Sequence, residues 1–210
     1  MQTVLVANRK GGVGKTMVSV TIAAALAGRG YRVALADADA QQSALAWLSR
    51  RPADAPAIRG LAWAKAGQIG DHPKKLDWLV IDAPGALKGS RAEKLVAEAR
   101  AVLTPLQPGL FDLASTEGFL AEIDDIKRIA KGKVAVHLVA NRLRAGTRAL
   151  RAIDEAAERL GRPVAARIAE RAAYGDLAAG GLSVFDTTRA AHRRLQQDWS
   201  PLMAILDPEA

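Results

Sequence analysis

Among the 210 residues of this chain there is no cysteine. That single absence excludes disulfides, thiol nucleophiles, cysteine-ligated zinc and iron–sulfur clusters. Histidine is nearly as scarce: His72, His137 and His192 lie far apart and offer no spacing for an imidazole metal site. Aromatic residues make up only 4%. The four tryptophans, Trp47, Trp63, Trp78 and Trp199, have spacings that suit core and interface packing rather than base stacking. No run approaches the ~18 to 20 apolar residues of a membrane span. The first apolar run starts within a few residues of Met1, which leaves no room for a signal peptide. The expectation is a cytoplasmic protein with no membrane partner. There is also no G-x-S-x-G elbow, no nucleophile–base pattern, no internal repeat and no linker.

Half of the residues are apolar, enough for one sizeable core. Apolar strands alternate with helical stretches almost end to end, so residues 1–210 are expected to form one α/β domain. Strands are expected at Gln2–Ala7, Tyr31–Ala36, Leu61–Lys65, Leu76–Asp82, Ala101–Leu106, Val134–Asn141 and Val164–Ala169. Helices are expected at Lys15–Ala27, Ala44–Arg50, Ser90–Glu98, Leu113–Ala130, Arg148–Leu160, Arg171–Ala179 and Thr187–Leu206. Parallel strands joined by helices make a doubly wound, mostly parallel sheet, with its ligand outside the strand C-termini.

The net charge is +8 and it is unevenly spread. Lys127 to Arg194 holds 15 Lys plus Arg against 6 Asp plus Glu, an excess that covers the whole net charge. A one-sided excess points to a polyanion, with nucleic acid ahead of anionic lipid. The arginines available are Arg142, Arg144, Arg148 and Arg151 around one helix start, Arg167 and Arg171 near the last strand, and Arg189, Arg193 and Arg194 on the closing helix. No base-reading motif accompanies them, so contact with double-stranded DNA should be phosphate-led and nearly sequence-blind.

The most informative stretch is Ala7 to Thr16, ANRKGGVGKT, set between the first strand and the first helix. Strand, glycine loop and helix in that order form a phosphate-binding loop. Gly11, Gly12 and Gly14 let the backbone turn tightly and aim its N–H groups at one point, where the helix adds its positive end. Lys15 supplies a mobile charge for the β- and γ-phosphates, and the Thr16 hydroxyl is placed for Mg²⁺. With Val13 and Met17 these residues are the candidate ATP site. The ordinary pattern would place its first glycine at Arg9, and the lysine at Lys10 is extra. Asp82 ends the apolar run Leu79-Val80-Ile81 and is the candidate Walker B carboxylate for Mg²⁺, with Asp82-Ala83-Pro84-Gly85 as a switch turn. Asp37 and Asp39 end the second strand at the same sheet edge. Both cannot face one point on a regular strand, so one lies on the turn beyond it.

The K-G-G-x-G-K-T of Lys10 to Thr16 resembles the deviant Walker A of the ParA/MinD family, a branch of the P-loop NTPases. The resemblance covers nearly the whole chain and is most specific at Lys10–Thr16, Asp37–Ser43 and Asp82. It implies that Asp39 directs the attacking water, with Asp37 on the metal side, although Ala40 stands where the family's D-x-D-P-Q has proline. It implies that Lys10 crosses to a partner's nucleotide, so that the ATP state is a sandwich homodimer, and that Asn141 in V-A-N-R lies near the adenine. Thr104 to Pro108, Glu170 to Tyr174 and Gly181 to Phe185 also resemble family stretches.

What the resemblance implies of function is a slow, partner-stimulated ATPase with ATP and Mg²⁺ as cofactors. On non-specific nucleoid DNA it would position a cargo, either a plasmid or chromosome or a protein body such as a carboxysome. An adaptor of the ParB or McdB kind would stimulate hydrolysis. Two alternatives stay open: a MinD-like membrane switch, disfavoured by a proline-broken, acidic C-terminus, and a metabolic ATP-dependent enzyme of the same fold. Nothing in the sequence chooses the cargo.

Overall fold

The computed structural model describes residues 1–85, 87–144 and 146–208. Its strands are β1 (Gln2–Val6), β2 (Val33–Asp37), β3 (Ile58–Ala62), β4 (Trp78–Asp82), β5 (Ala101–Leu106), β6 (Ala135–Leu143) and β7 (Val164–Ala169). They form one sheet ordered β3-β2-β4-β1-β5-β6-β7. Every pairing is parallel, where the sequence suggested only mostly so. After β1 the chain runs to one side for β2 and β3. It returns to insert β4, then crosses to the other side for β5, β6 and β7. The reversal falls at β1, so the loop after β1 opens at the topological switch point, where open α/β sheets bind ligands.

Both faces of the sheet are covered, and the period of two along β1 shows how. Val4 and Val6 pack into one layer with α1 (Lys15–Gly28), α2 (Ser43–Leu48), α7 (Ala172–Ala179), α8 (Ala190–Gln197) and α9 (Ser200–Leu206). Leu5 and Ala7 pack into the other with α3 (Gly89–Glu98), α4 (Leu110–Asp124), α5 (Lys127–Ala130) and α6 (Thr147–Leu160). Residues Val18 through Ala27 of α1 are all buried. Its run of alanines lets the sheet, α2 and the C-terminal segment approach it on every side.

Three expectations are corrected. The strand expected at Leu61–Lys65 lies at Ile58–Ala62, because its pairing with β2 extends back to Ile58 opposite Val33. The single helix expected over Leu113–Ala130 is two. Asp124 and Asp125 put negative charge at the negative end of α4, and Ile126 turns extended to pack into the core. The closing helix also breaks, at Asp198–Trp199. Trp199 is fully buried and its indole N–H donates to the Tyr174 hydroxyl at 3.0 Å, while Pro201 starts α9.

One buried ion pair fastens α2 to the C-terminal segment. Arg51 Nη2 meets Asp186 Oδ1 at 2.6 Å, and the two side chains are 5% and 2% exposed. Arg51 also donates to the carbonyls of Pro56 and Gly181 and lies 5.1 Å over the Trp47 ring. Truncating one partner strands the other charge in the interior. Arg51→Ala should therefore cost about 3 kcal/mol in urea unfolding. The exposed pair Arg32–Asp77 should matter far less when Arg32→Ala is measured beside it.

Candidate active site

The loop between β1 and α1 is tied down at both ends. At its start, buried Asn8 donates from Nδ2 to the Pro105 carbonyl at 2.8 Å and to the Thr116 hydroxyl at 2.9 Å. Its Oδ1 accepts the Lys10 N–H at 3.1 Å. At its end, Asn141 Nδ2 donates to the Val13 carbonyl at 2.8 Å. Asn141 stands so close that a Cβ on Gly14, at φ +92°, would lie 2.3 Å from it. Gln107 holds the Gly12 carbonyl at 3.0 Å. The space over the loop is open: a Cβ on Gly11 or Gly12 would meet nothing within 4 Å. The first N–H groups of α1 have no intrahelical acceptor and face that space. The residues present fit a polyphosphate.

Beside the loop, Asp82 accepts the Thr16 hydroxyl at 2.7 Å and the Ser19 hydroxyl at 3.0 Å. It lies in register with Asp37 across β4 and β2. Burial pushes the Asp82 carboxyl up to about 7, the Asp37 charge adds to this, and the two hydroxyls and Lys15 oppose it. Burial likewise raises Asp37, which accepts three backbone N–H groups, from Asp39, Ala44 and Leu45. Two of those lie in the first turn of α2, so Asp37 holds that helix to the sheet edge. Burial lowers Lys15, while Asp82 and Asp39 attract its charge. Its Nζ donates to the Lys10 carbonyl at 3.3 Å, beneath Gly85 of the turn after β4.

Among the described residues no three His, Asp or Glu side chains converge as a metal cage. The hard oxygens present, of Thr16 and Asp82, suit a small cation that completes its shell with phosphate and water.

Asp39 lies on the turn beyond β2, half-buried, its carboxylate accepting the Gln41 N–H at 3.0 Å. Asp37 on the strand and Asp39 on the turn resolve the two positions as the alternation required. Lys10 is half-exposed and pairs with Asp112 of α4 at 3.7 Å. Met17 and Asn141 line a cavity of about 460 Å³ next to the loop, with Arg142, Ile168, Arg171 and Tyr174.

The structure does not gather the candidate DNA arginines into one patch. Arg142 and Arg171 border the cavity. Arg148 and Arg151 are exposed on α6, whereas Arg189, Arg193 and Arg194 are exposed on and just before α8, in the opposite helical layer. Arg144, Arg159, Arg162 and Arg167 are each paired with a carboxylate.

Sequence patterns alone do not disclose Asn8, Ser19 and Gln107, which position the loop and Asp82. Ser19 carried a signal, since it lies one turn beyond Lys15 on the helix face that leads to Thr16. Gln107 was marked only by its place in the family-like stretch Thr104 to Pro108, and Asn8 carried no signal, because its partners lie on β5 and α4, distant in the chain.

The model of the CobQ/CobB/MinD/ParA nucleotide binding domain matches residues 4–184. Maintenance of carboxysome distribution protein A of Halothiobacillus neapolitanus is 33% identical over 189 residues, which cover 87% of this chain and 86% of that protein. Among solved structures, a Cyanothece McdA variant in complex with ATP superposes with a TM-score of 0.75 at 15% identity, covering 96% of both chains. MinD in the MinC:MinD cell division protein complex of Aquifex aeolicus gives 0.74 at 18% identity, covering 97% of this chain and 96% of that one.

A carboxyl raised by burial keeps its proton longer in the folded state, so the folded state gains at low pH and loses that gain as pH rises toward the folded value. For Asp82, raised to about 7, the window runs from about pH 4 to 7. Over it, metal-free wild type should lose about 4 kcal/mol of stability relative to Asp82→Asn. Urea midpoints at several pH values check this, and parallel curves for the two proteins would contradict it.

Proposed function

The chain belongs to the CobQ/CobB/MinD/ParA nucleotide-binding family, and we propose that it is a ParA-type ATPase that distributes a large cargo through the cell. The observation that carries this reading is the convergence at one sheet edge of Lys15, Thr16, Asp82 and Asp39 around an open glycine loop. Lys15 would bind the β- and γ-phosphates. Thr16 would hold Mg²⁺ directly and Asp82 through water, with Asp37 behind them, and the ion would neutralise charge on the triphosphate. Asp39 would orient the attacking water. Gly11, Gly12, Val13 and Gly14 would wrap the phosphates, while Met17 and Asn141 would face the base in the adjoining cavity.

Lys10 would leave Asp112 and complete the site of a second copy, making the ATP state a sandwich homodimer. Its charge would then stand where the transition state becomes negative. The dimer would bind non-specific DNA through exposed arginines, Arg148 and Arg151 on one layer, Arg189, Arg193 and Arg194 on the other, with Arg142 and Arg171 between. Different DNA affinities of the two nucleotide states are what would make it a switch. The relative involved in carboxysome distribution favours a carboxysome, or a similar protein body, as cargo. An adaptor of the McdB or ParB kind would trigger hydrolysis. A membrane switch is disfavoured, because α9 buries Leu202, Met203 and Leu206 in the core and leaves only Ile205 of its large apolar residues exposed.

Lys15→Ala should weaken nucleotide binding at least ~100-fold by titration with a fluorescent ATP analogue. Asp39→Ala should keep ATP and the dimer but lower turnover ~100-fold or more, and unchanged turnover would overturn its role. Reversing Arg193 and Arg194 to Glu should weaken binding to random-sequence duplex and lower its salt slope by about 2, with ATP affinity unchanged.

A further inference from the structure

Arg91 stands in the first turn of α3 and reaches across to the turn after β2. Its Nη2 donates to the Ala38 carbonyl at 2.5 Å and to the Ala64 carbonyl at 2.9 Å. Its Nε is buried without a partner. Among the described residues no carboxylate pairs with this guanidinium.

The Ala38 carbonyl belongs to the peptide that joins Ala38 to Asp39. The N–H of that same peptide donates to Asp37 Oδ1 at 3.1 Å. One rigid plane is thus held at both ends, from β2 by Asp37 and from α3 by Arg91, and it sets the direction in which the Asp39 side chain leaves the backbone. Besides these bonds, the Ala38 N–H donates to the Asp82 carbonyl at 2.9 Å and the Gln41 N–H to the Asp39 carboxylate at 3.0 Å, and the turn carries few other constraints. It closes on itself through the Gln42 N–H to the Asp39 carbonyl, and position 40 is alanine, with no ring to fix the backbone.

We infer that Arg91 is a positioning residue for Asp39, a role that rests on the ATPase reading only where Asp39 directs water. Because α3 begins just past the Asp82–Gly85 turn, Arg91 also makes the Asp39 turn sensitive to where that turn sits. A shift of the switch turn would draw the guanidinium off Ala38 and release the peptide plane.

The test uses the full chain and Arg91→Met, which keeps the length but removes charge and donors. The Asp39 amide should exchange with solvent at least ~10-fold faster than in wild type. Turnover at saturating ATP should fall ~10-fold or more while affinity for a non-hydrolysable analogue shifts less than ~2-fold. Adding Ala40→Pro to the Met variant should restore amide protection and turnover by ~3-fold or more, by fixing the turn without the arginine. A general packing defect at Arg91 would not be repaired from position 40. Wild-type exchange and turnover in a folded Met variant, or no rescue by proline, would overturn the inference. Should the Met variant not fold, Arg91→Lys retains the charge and a single donor atom and should show both effects at about one-third the size, and equality with wild type would overturn the inference there too. Faster exchange in a chain whose wild type hydrolyses no ATP would keep the positioning role and sink the ATPase reading instead.

Discussion

Two carboxylates buried side by side govern this structure. Asp37 and Asp82 end adjacent parallel strands in register, and the interior raises both. Like charges at that spacing are tolerable only if something compensates each. For Asp37 the compensation is internal: three backbone N–H groups, two of them from the start of α2. For Asp82 it is weaker, two hydroxyls and a partly buried lysine, so the carboxyl remains close to holding a proton. The fold thus keeps a half-compensated anion beside an open, positive loop, which is the condition under which a divalent cation carried in by a phosphate gains most.

The same arrangement links the site to the rest of the molecule. Asp37 fixes the first turn of α2, and a few residues past the end of that helix Arg51 is locked to Asp186 in the segment between α7 and α8. The Asp39 turn hangs between β2 and Arg91 of α3, just after the turn that follows Asp82. Asn8 fixes the loop to β5 and α4, and Asn141 fixes its other end from β6. Elements from both helical layers therefore meet at the loop, and a change there has rigid members on either side to move.

Much of this was legible in the sequence, for reasons that differ by element. The loop could be read because glycine, lysine and threonine spacing is itself the geometry, and its flanking strand and helix declare themselves by composition. Asp82 could be read because a carboxylate that closes a fully apolar strand needs a cation or a donor waiting at the sheet edge. β5 and β7 matched to the residue, β5 because it is a buried, mostly apolar run and β7 because Gly161 and Pro163 before it and Glu170 after it mark its ends. The two long helices could not be read as broken, because the breaks come from Ile126 and Trp199 seeking the core, a tertiary preference that helical periodicity does not record. The basic excess was legible as charge, but not that α6 and α8 carry its arginines on opposite faces of the sheet, because charge counts along a chain hold no record of layer. Asn8 and Arg91 were invisible, and Gln107 was marked only by its place in a family-like stretch, since each acts on a backbone atom far along the chain.

The central claim is that the loop, Thr16 and Asp82 together form one site for a magnesium-bound triphosphate. Titration of wild type and Asp82→Asn with an ATP analogue, with magnesium and then with a chelator, tests it most directly. Magnesium should tighten wild-type binding at least ~10-fold and should do little for the Asn variant. Equal affinity with and without the metal, or an Asn variant that gains from magnesium as wild type does, would contradict the account.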